Sequence, residues 1–114
     1  MASLFLFYFS CSNPYVQGER LYELRCANCH MSDGSGLAQV IPDLTATSYK
    51  SRDLEVACLI RNGLPGNDQL VMPANKDLTP AEITNIINFL RTEFWDDSRF
   101  AQPEKVVEVI KDCE

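Results

Sequence analysis

The sequence is poor in basic residues, in long apolar runs and in strand-like patterns, and each scarcity excludes a class of protein. Ten Lys and Arg stand against sixteen Asp and Glu among 114 residues, a net charge of −6, whereas nucleic-acid-binding domains are usually basic. Beyond the amino terminus, every apolar run breaks within a few positions, far short of the roughly 20 residues that a transmembrane helix needs. No segment alternates convincingly between apolar and polar residues, so the chain is predicted to be all-α. We expect no nucleic-acid partner, and the acidic surface favours partners with a basic docking surface.

The amino terminus differs from the rest of the chain in being strongly apolar. Residues 1–10 contain the run Leu4–Phe9, which is similar to the apolar part of an export signal, although no Lys or Arg precedes it. We therefore predict an export signal or apolar leader at 1–10, a linker at 11–15, and one domain at 16–114 with a C-terminal extension from about residue 96. The expected location is the periplasm, where the protein is either free or anchored to the membrane.

Local signals place the helices of this domain. Residues 16–28 and 48–62 have the apolar spacing of helices. Thr79 begins the sequence Thr-Pro-Ala-Glu, a capping box with proline at the first helical position, and a long apolar stripe follows it. Pro103 is predicted to open a last short helix, whereas residues 64–78 hold proline, glycine and asparagine and are predicted to form a loop.

The sequence Cys-Ala-Asn-Cys-His at positions 26–30 is the motif with the clearest chemistry. The C-x-x-C-H spacing is the attachment signature of c-type haem, in which the thiols of Cys26 and Cys29 add to the porphyrin and His30 ligates the iron. His30 is also the only histidine of the chain. Two alternatives use the same cysteines: half of a zinc site, or a redox dithiol, which usually accompanies a βαβ pattern.

The surroundings of this motif resemble a known family. From about Gly18 to Phe94 the chain resembles the small single-haem cytochromes c of class I, which have histidine and methionine as iron ligands. The segments that carry the resemblance are Gly18-x-x-Leu21-Tyr22, Cys26-x-x-Cys29-His30, Gly34-x-Gly36, Ile41-Pro42-Asp43-Leu44, Val71-Met72-Pro73 and Ile86 to Leu90.

The resemblance implies a fold of about four helices wrapped around one covalent haem c. It also implies that the carbonyl of Pro42 hydrogen-bonds the ligand His30, as an acceptor that fixes the imidazole ring. Leu44 and Arg61 are expected in the haem surroundings. Arg61 and Tyr49 are candidates to contact the haem propionates, with a solvated arginine and a packing tyrosine as the alternative.

The second iron ligand is predicted to be Met72. Met31 directly follows the histidine and cannot reach the opposite face of a haem, and Met1 starts the chain. Met72 lies in the loop before the strongest helix, and methionine with histidine is a known pair of ligands for haem c. The alternative is that Met72 only fills space in the core. Trp95 is expected to pack in the core or at the haem edge.

Three cysteines remain outside the motif. Cys58 and Cys113 lie on apolar faces of predicted helices, and in an exported protein they favour a disulfide that would tie the extension to the second helix; two buried free thiols are the alternative. Cys11 follows the apolar run and resembles the lipidated first residue of a bacterial lipoprotein, although the residues before it are bulkier than usual. Lipidation of Cys11 would provide a membrane anchor.

An iron held by His30 and Met72 has no open position, so the predicted function is electron transfer between Fe(III) and Fe(II) rather than catalysis. The chain would act as a periplasmic carrier or as the cytochrome subunit of a respiratory complex. The alternatives are a haem-based sensor or enzyme with a displaceable Met72, and a zinc-binding structural module.

Overall fold

The fold is known from a computed structural model that describes residues 13–38, 40–65 and 71–113. In these ranges the chain forms helices and turns with two isolated β-bridges and no strand, so the all-α prediction is confirmed. None of the described helices is long and apolar enough to cross a membrane. The helices are α1 (Pro14–Arg25), α2 (Ala27–His30), α3 (Val56–Asn62), α4 (Pro80–Glu93) and α5 (Pro103–Asp112), with 3₁₀ turns at Leu44–Ala46, Ser48–Ser51 and Asp53–Glu55.

Helix α1 begins earlier and ends earlier than the predicted helix 16–28. The Asn13 side chain accepts a hydrogen bond from the backbone N–H of Tyr15 at 3.0 Å, and Pro14 takes the first helical position, where no N–H is needed. Pro14 and Tyr15, which the sequence-based prediction assigns to the linker 11–15, are thus the first residues of α1, and residues 1–12 lie outside the described ranges. At the other end, Cys26 has φ −121°, which separates α1 from the single turn α2.

The predicted helix 48–62 is also interrupted. Two 3₁₀ turns precede α3, and Arg52 between them has φ −133° and ψ 41°, outside the helical region. The Thr47 hydroxyl accepts a hydrogen bond from the N–H of Tyr49 at 3.3 Å and starts the first turn. Gly63 ends α3 with φ 68°, a conformation that favours glycine.

Helix α4 has the predicted capping box. The Thr79 hydroxyl accepts from the N–H of Glu82 at 3.1 Å, and the Glu82 carboxylate accepts from the N–H of Thr79 at 3.0 Å. The apolar stripe of α4 is buried in the core against α1, with Ile83, Ile86 and Ile87 fully inaccessible.

Two polar side chains of α4, half-buried Asn88 and buried Arg91, hold the C-terminal extension by hydrogen bonds. Asn88 accepts from the N–H of Ala101 at 2.8 Å, and the guanidinium of Arg91 donates to the carbonyl of Arg99 at 3.0 Å. Arg91 also pairs with Asp53 in the turn before α3. The extension therefore belongs to the same packed unit as α3 and α4.

Candidate functional site

The single turn α2 brings the three motif residues to one face. The N–H of Cys29 and the N–H of His30 both donate to the carbonyl of Cys26, at 3.2 and 2.9 Å. The three residues therefore stand at positions i, i+3 and i+4 of a helical turn, which are neighbours on a helix surface. Cys26, Cys29 and His30 consequently line the same cavity.

The ring of His30 is oriented by the carbonyl of Pro42, which lies 3.1 Å from Nδ1. Because a carbonyl only accepts, Nδ1 carries the proton and Nε2 keeps a lone pair for a metal. Gly36 allows this approach: it has φ 68°, and a Cβ there would overlap the carbonyl oxygens of Ile41 and Pro42. The predicted hydrogen-bonding partner of His30 is thus in place.

Met72 is held in the same cavity by an isolated antiparallel bridge. The N–H of Leu64 donates to the carbonyl of Met72 at 2.9 Å. Gly63 makes room for this contact, since a Cβ at Gly63 would overlap the Met72 carbonyl. Pro73 disfavours helical backbone at Met72, so the ligand candidate lies in an extended segment.

The cavity between these segments has a volume of about 290 Å³ and a mainly apolar wall. It is lined by Arg25, Cys26, Cys29, His30, Val40, Ile41, Pro42, Leu44, Thr47, Tyr49, Val56, Leu59, Ile60, Leu64, Val71, Met72, Pro73, Asn75, Leu90 and Trp95. Six of the sequence-predicted site residues are therefore brought together: Cys26, Cys29, His30, Pro42, Leu44 and Met72.

The arginine that lines the described wall of the cavity is Arg25, whereas the sequence led us to expect Arg61 near the haem. Arg61 is half-buried on α3 and is not among the described residues that line the cavity, whereas Tyr49 is. The charged side chain in the described wall is Arg25, which donates to both carboxylate oxygens of Asp77, at 3.0 and 2.5 Å, and to Asn75 at 3.3 Å. The hydrogen bonds from Arg25 also lower the pKa of Asp77. No local sequence signal pointed to these three residues.

Two aromatic side chains, Trp95 and Tyr22, donate hydrogen bonds to backbone carbonyls near the cavity. Trp95 lines the cavity and its indole N–H donates to the carbonyl of Leu44 at 2.8 Å, so its predicted packing position carries a hydrogen bond as well. The hydroxyl of buried Tyr22 donates to the carbonyl of Met31 at 2.6 Å, and burial raises the pKa of Tyr22. These bonds hold the two segments that flank the cavity, and sequence reasoning missed both.

The alternative chemistries of the motif fit this geometry poorly. Burial raises the pKa of the Cys26 thiol to about 11, whereas a reactive dithiol needs a lowered one. A zinc site would need a further cysteine beside the motif, but Cys58 and Cys113 lie together elsewhere, with their Cα atoms 6.0 Å apart. Among the residues that the structure describes, no cluster of three or more His, Cys, Asp or Glu is placed to hold a metal ion.

The residues of the cavity do fit a haem. A flat apolar macrocycle needs an apolar wall, two thiols on one edge for attachment, an imidazole with a free lone pair and a soft thioether ligand. Cys26, Cys29, His30 and Met72 supply these groups in one cavity. A ligating histidine normally donates its other ring N–H to an acceptor, and the Pro42 carbonyl supplies that acceptor here.

Comparisons with known proteins agree with this chemistry. The family model described as "Cytochrome C oxidase, cbb3-type, subunit III" matches residues 13–90. The cytochrome c subunits of alcohol dehydrogenase (quinone) from Gluconacetobacter polyoxogenes and Komagataeibacter europaeus are each 30% identical over 88 residues, covering 69% of this chain and 19% of theirs. The chain thus spans about a fifth of the length of the curated relatives it matches.

A solved structure shares the fold. The crystal structure of the c-type cytochrome XoxG from Methylobacterium extorquens AM1 matches with a TM-score of 0.51 and 24% identity, over 89% of this chain and 67% of that one. Since the family model covers more than half of the sequence, this chain belongs to the cytochrome c family, whose members bind covalent haem c and transfer electrons, and its small size fits a single haem.

Proposed function

We propose that this chain transfers single electrons through one haem c that is attached at Cys26 and Cys29, with His30 and Met72 as the axial iron ligands. The observation that carries the proposal is the cavity in which one helical turn presents both thiols and the imidazole, and which Met72 also lines. Bound there, the haem supplies a one-electron Fe(III)/Fe(II) couple.

The side chains determine what that couple can do. His30 would supply the imidazole ligand, and the contact of its Nδ1 with the Pro42 carbonyl at 3.1 Å orients the ring. Met72 would supply a thioether ligand to the iron, and a methionine ligand raises the reduction potential of a haem. An iron held by both His30 and Met72 would leave no site for oxygen or peroxide, which favours a carrier over an enzyme.

The physiological role that we propose is that of a carrier or of the cytochrome subunit of a larger oxidoreductase. Two relatives are named as cytochrome c subunits of an alcohol dehydrogenase (quinone), which supports the second form of the role. The net charge of −6 favours redox partners with a basic docking surface.

Export to the periplasm completes the proposal. Cytochrome c relatives are typically exported, and the apolar leader at 1–10 supports export here, although it lies outside the described residues. An oxidising compartment would allow a disulfide between Cys58 and Cys113, whose Cα separation of 6.0 Å lies within the usual range for a disulfide. Lipidation of Cys11, also outside the described residues, would anchor the protein to the membrane.

The test is an optical spectrum of protein made in cells that have cytochrome c maturation machinery. We expect c-type bands that survive acid-acetone extraction, together with the weak long-wavelength band of methionine bound to ferric haem. Met72→Ala should lose that band and let the reduced protein bind carbon monoxide. Met31→Ala is the matched control, because Met31 is next to His30 and should leave both properties unchanged.

Each deviation has a definite meaning. Extractable haem would refute attachment at Cys26 and Cys29. Covalent haem in a wild-type protein that lacks the methionine band and binds carbon monoxide would favour the haem-based sensor or enzyme. A colourless protein would return the motif to zinc or thiol chemistry.

A further inference from the structure

The Met72 segment joins α3 to α4, and its described residues, 63–65 and 71–79, contain no helix. On one side of Met72 the described contact is the bridge to Leu64. Retention of Met72 on an iron therefore depends on how the residues after it are held.

Asn75 is the first strong attachment after Met72. Its backbone N–H donates to the carbonyls of Ile60 and Arg61, at 3.1 and 3.2 Å. Its side-chain amide donates to the Ile60 carbonyl as well, at 3.1 Å. Three positions beyond the proposed ligand, the chain is thus fixed to the last turn of α3.

Arg25 connects this segment to the opposite part of the cavity. It is the last residue of α1 and directly precedes Cys26, yet its guanidinium reaches Asp77 through two hydrogen bonds, at 3.0 and 2.5 Å, and Asn75 through a third, at 3.3 Å. Asp77 lies 52 positions away in sequence. One side chain therefore spans from the haem-attachment turn to the segment of Met72.

The exposure of Arg25 and Asp77 bears on whether this ion pair stabilises the whole fold or only opposes local opening of the loop. The side chains of Arg25 and Asp77 are 36% and 63% exposed, and exposed ion pairs contribute little to global unfolding. Local opening of a loop, however, requires far less free energy than global unfolding, so a bidentate contact across that opening has a larger relative effect.

We propose that Arg25 is a positioning residue that keeps Met72 on the iron by holding the Met72 segment against the haem-attachment turn through Asp77 and Asn75. This inference rests on the proposed function, because it assumes that Met72 is an axial ligand. It adds a determinant of ligand retention that lies outside both the C-x-x-C-H motif and the methionine loop.

The experiment titrates the oxidised holoprotein with imidazole, which binds iron only when Met72 has left. The apparent affinity for such a ligand is proportional to the open fraction. Arg25→Gln and Asp77→Asn should each raise the imidazole affinity about twofold to fivefold, the range that an exposed ion pair supports. The double variant should show a smaller increase than the two single variants combined, because both replacements remove the same contact between Arg25 and Asp77.

The control is Lys105→Gln, which removes one positive charge from an exposed ion pair with Glu108 on α5, far along the chain from Met72. It should leave imidazole affinity unchanged. Denaturant midpoints of all variants should stay close to that of the wild type, since both ion pairs, Arg25–Asp77 and Lys105–Glu108, are exposed. A purely structural role would lower the midpoint without changing the imidazole affinity, and that result would overturn the inference.

The two levels of failure are distinguishable. A wild-type protein with the methionine band, and variants whose imidazole affinity equals that of Lys105→Gln, would overturn the role of Arg25 alone. A wild-type protein without the band would overturn the proposed Met72 ligation and this inference with it.

Discussion

The two sides of this small protein are stabilised in different ways. Around α4, apolar side chains pack on one another, and Ile83, Ile86 and Ile87 are completely buried. Around the cavity, Val40, Leu64 and Val71 line the wall but remain 51%, 48% and 59% exposed. The protein chain therefore completes the first region by itself, whereas the second has a partly exposed apolar wall that a bound haem would cover.

The largest effect should come from preventing haem attachment with Cys26→Ala/Cys29→Ala. Without the haem, the mainly apolar wall of a cavity of about 290 Å³ would stay in contact with water, and the stabilisation from burying that wall would be lost. Domain stabilities are only about 5–15 kcal/mol, so we expect a broad or lost thermal transition by circular dichroism. The single variant Cys26→Ala, which keeps one attachment point, should be intermediate. A double variant that melts like the wild type would contradict the contrast.

The second effect concerns the C-terminal extension and its proposed disulfide. Replacing Cys58 and Cys113 by alanine should lower the free energy of unfolding by about 2–4 kcal/mol, as expected for a bridge that closes a loop of this length. The sequence separation is 55 residues. A reductant should lower the denaturant midpoint of the wild type and leave the double variant unchanged. Wild-type thiols that are labelled without prior reduction would show that no bridge forms.

The third effect probes the packed region at the crossing of α1 and α4. A Cβ at Gly18 would overlap the backbone oxygen of Asn85, which cannot move away as a side chain could. Gly18→Ala should therefore destabilise the protein by about 1–3 kcal/mol, despite the better helix propensity of alanine. Glu19→Ala, at the exposed neighbouring position, is the control and should change stability little. Equal denaturant midpoints for the two variants would mean that α1 and α4 can move apart at Gly18 without loss of stability.

The smallest effect is a pH dependence of stability that arises from Asp97 and Arg99 in the turn after α4. The Asp97 carboxylate accepts from the Arg99 guanidinium at 3.1 and 2.9 Å and from the Arg99 N–H at 2.9 Å, and these bonds lower its pKa to about 2. Because the folded-state pKa is lowered, the contribution is fully present above about pH 4 and is lost as the pH falls towards 2. Asp97→Asn should reduce the fall in melting temperature over that interval, whereas the exposed neighbour Asp96→Asn should keep the wild-type slope.

The site was more predictable from the sequence than the contacts that support it. The C-x-x-C-H motif and the capping box at Thr79 are local patterns, and local hydrogen bonds fix their geometry. The interruption at Arg52 has no such signature, because helical spacing of apolar residues does not distinguish an α-helix from successive 3₁₀ turns. The pair of Arg25 and Asp77 joins distant segments, and nothing near either residue identifies its partner.

The position of the arginines also depends on contacts between segments that are distant in sequence. Arg61 stands on a helix next to the loop of Met72 and was predicted to belong to the haem surroundings, whereas Arg25 lines the described wall. Which arginine reaches the cavity depends on how α1 and α3 are placed around it. That placement follows from tertiary packing, such as the close approach of α1 and α4 at Gly18, and sequence spacing alone does not determine it.

X-ray absorption at the iron edge of the oxidised holoprotein tests most directly whether this cavity holds a haem ligated by His30 and Met72. We expect nitrogen ligands from the porphyrin and His30 together with a single sulfur from Met72, and the loss of that sulfur in Met72→Ala. An iron shell without sulfur in the wild type, or a purified protein without iron, would contradict the claim that this cavity holds a haem ligated by His30 and Met72.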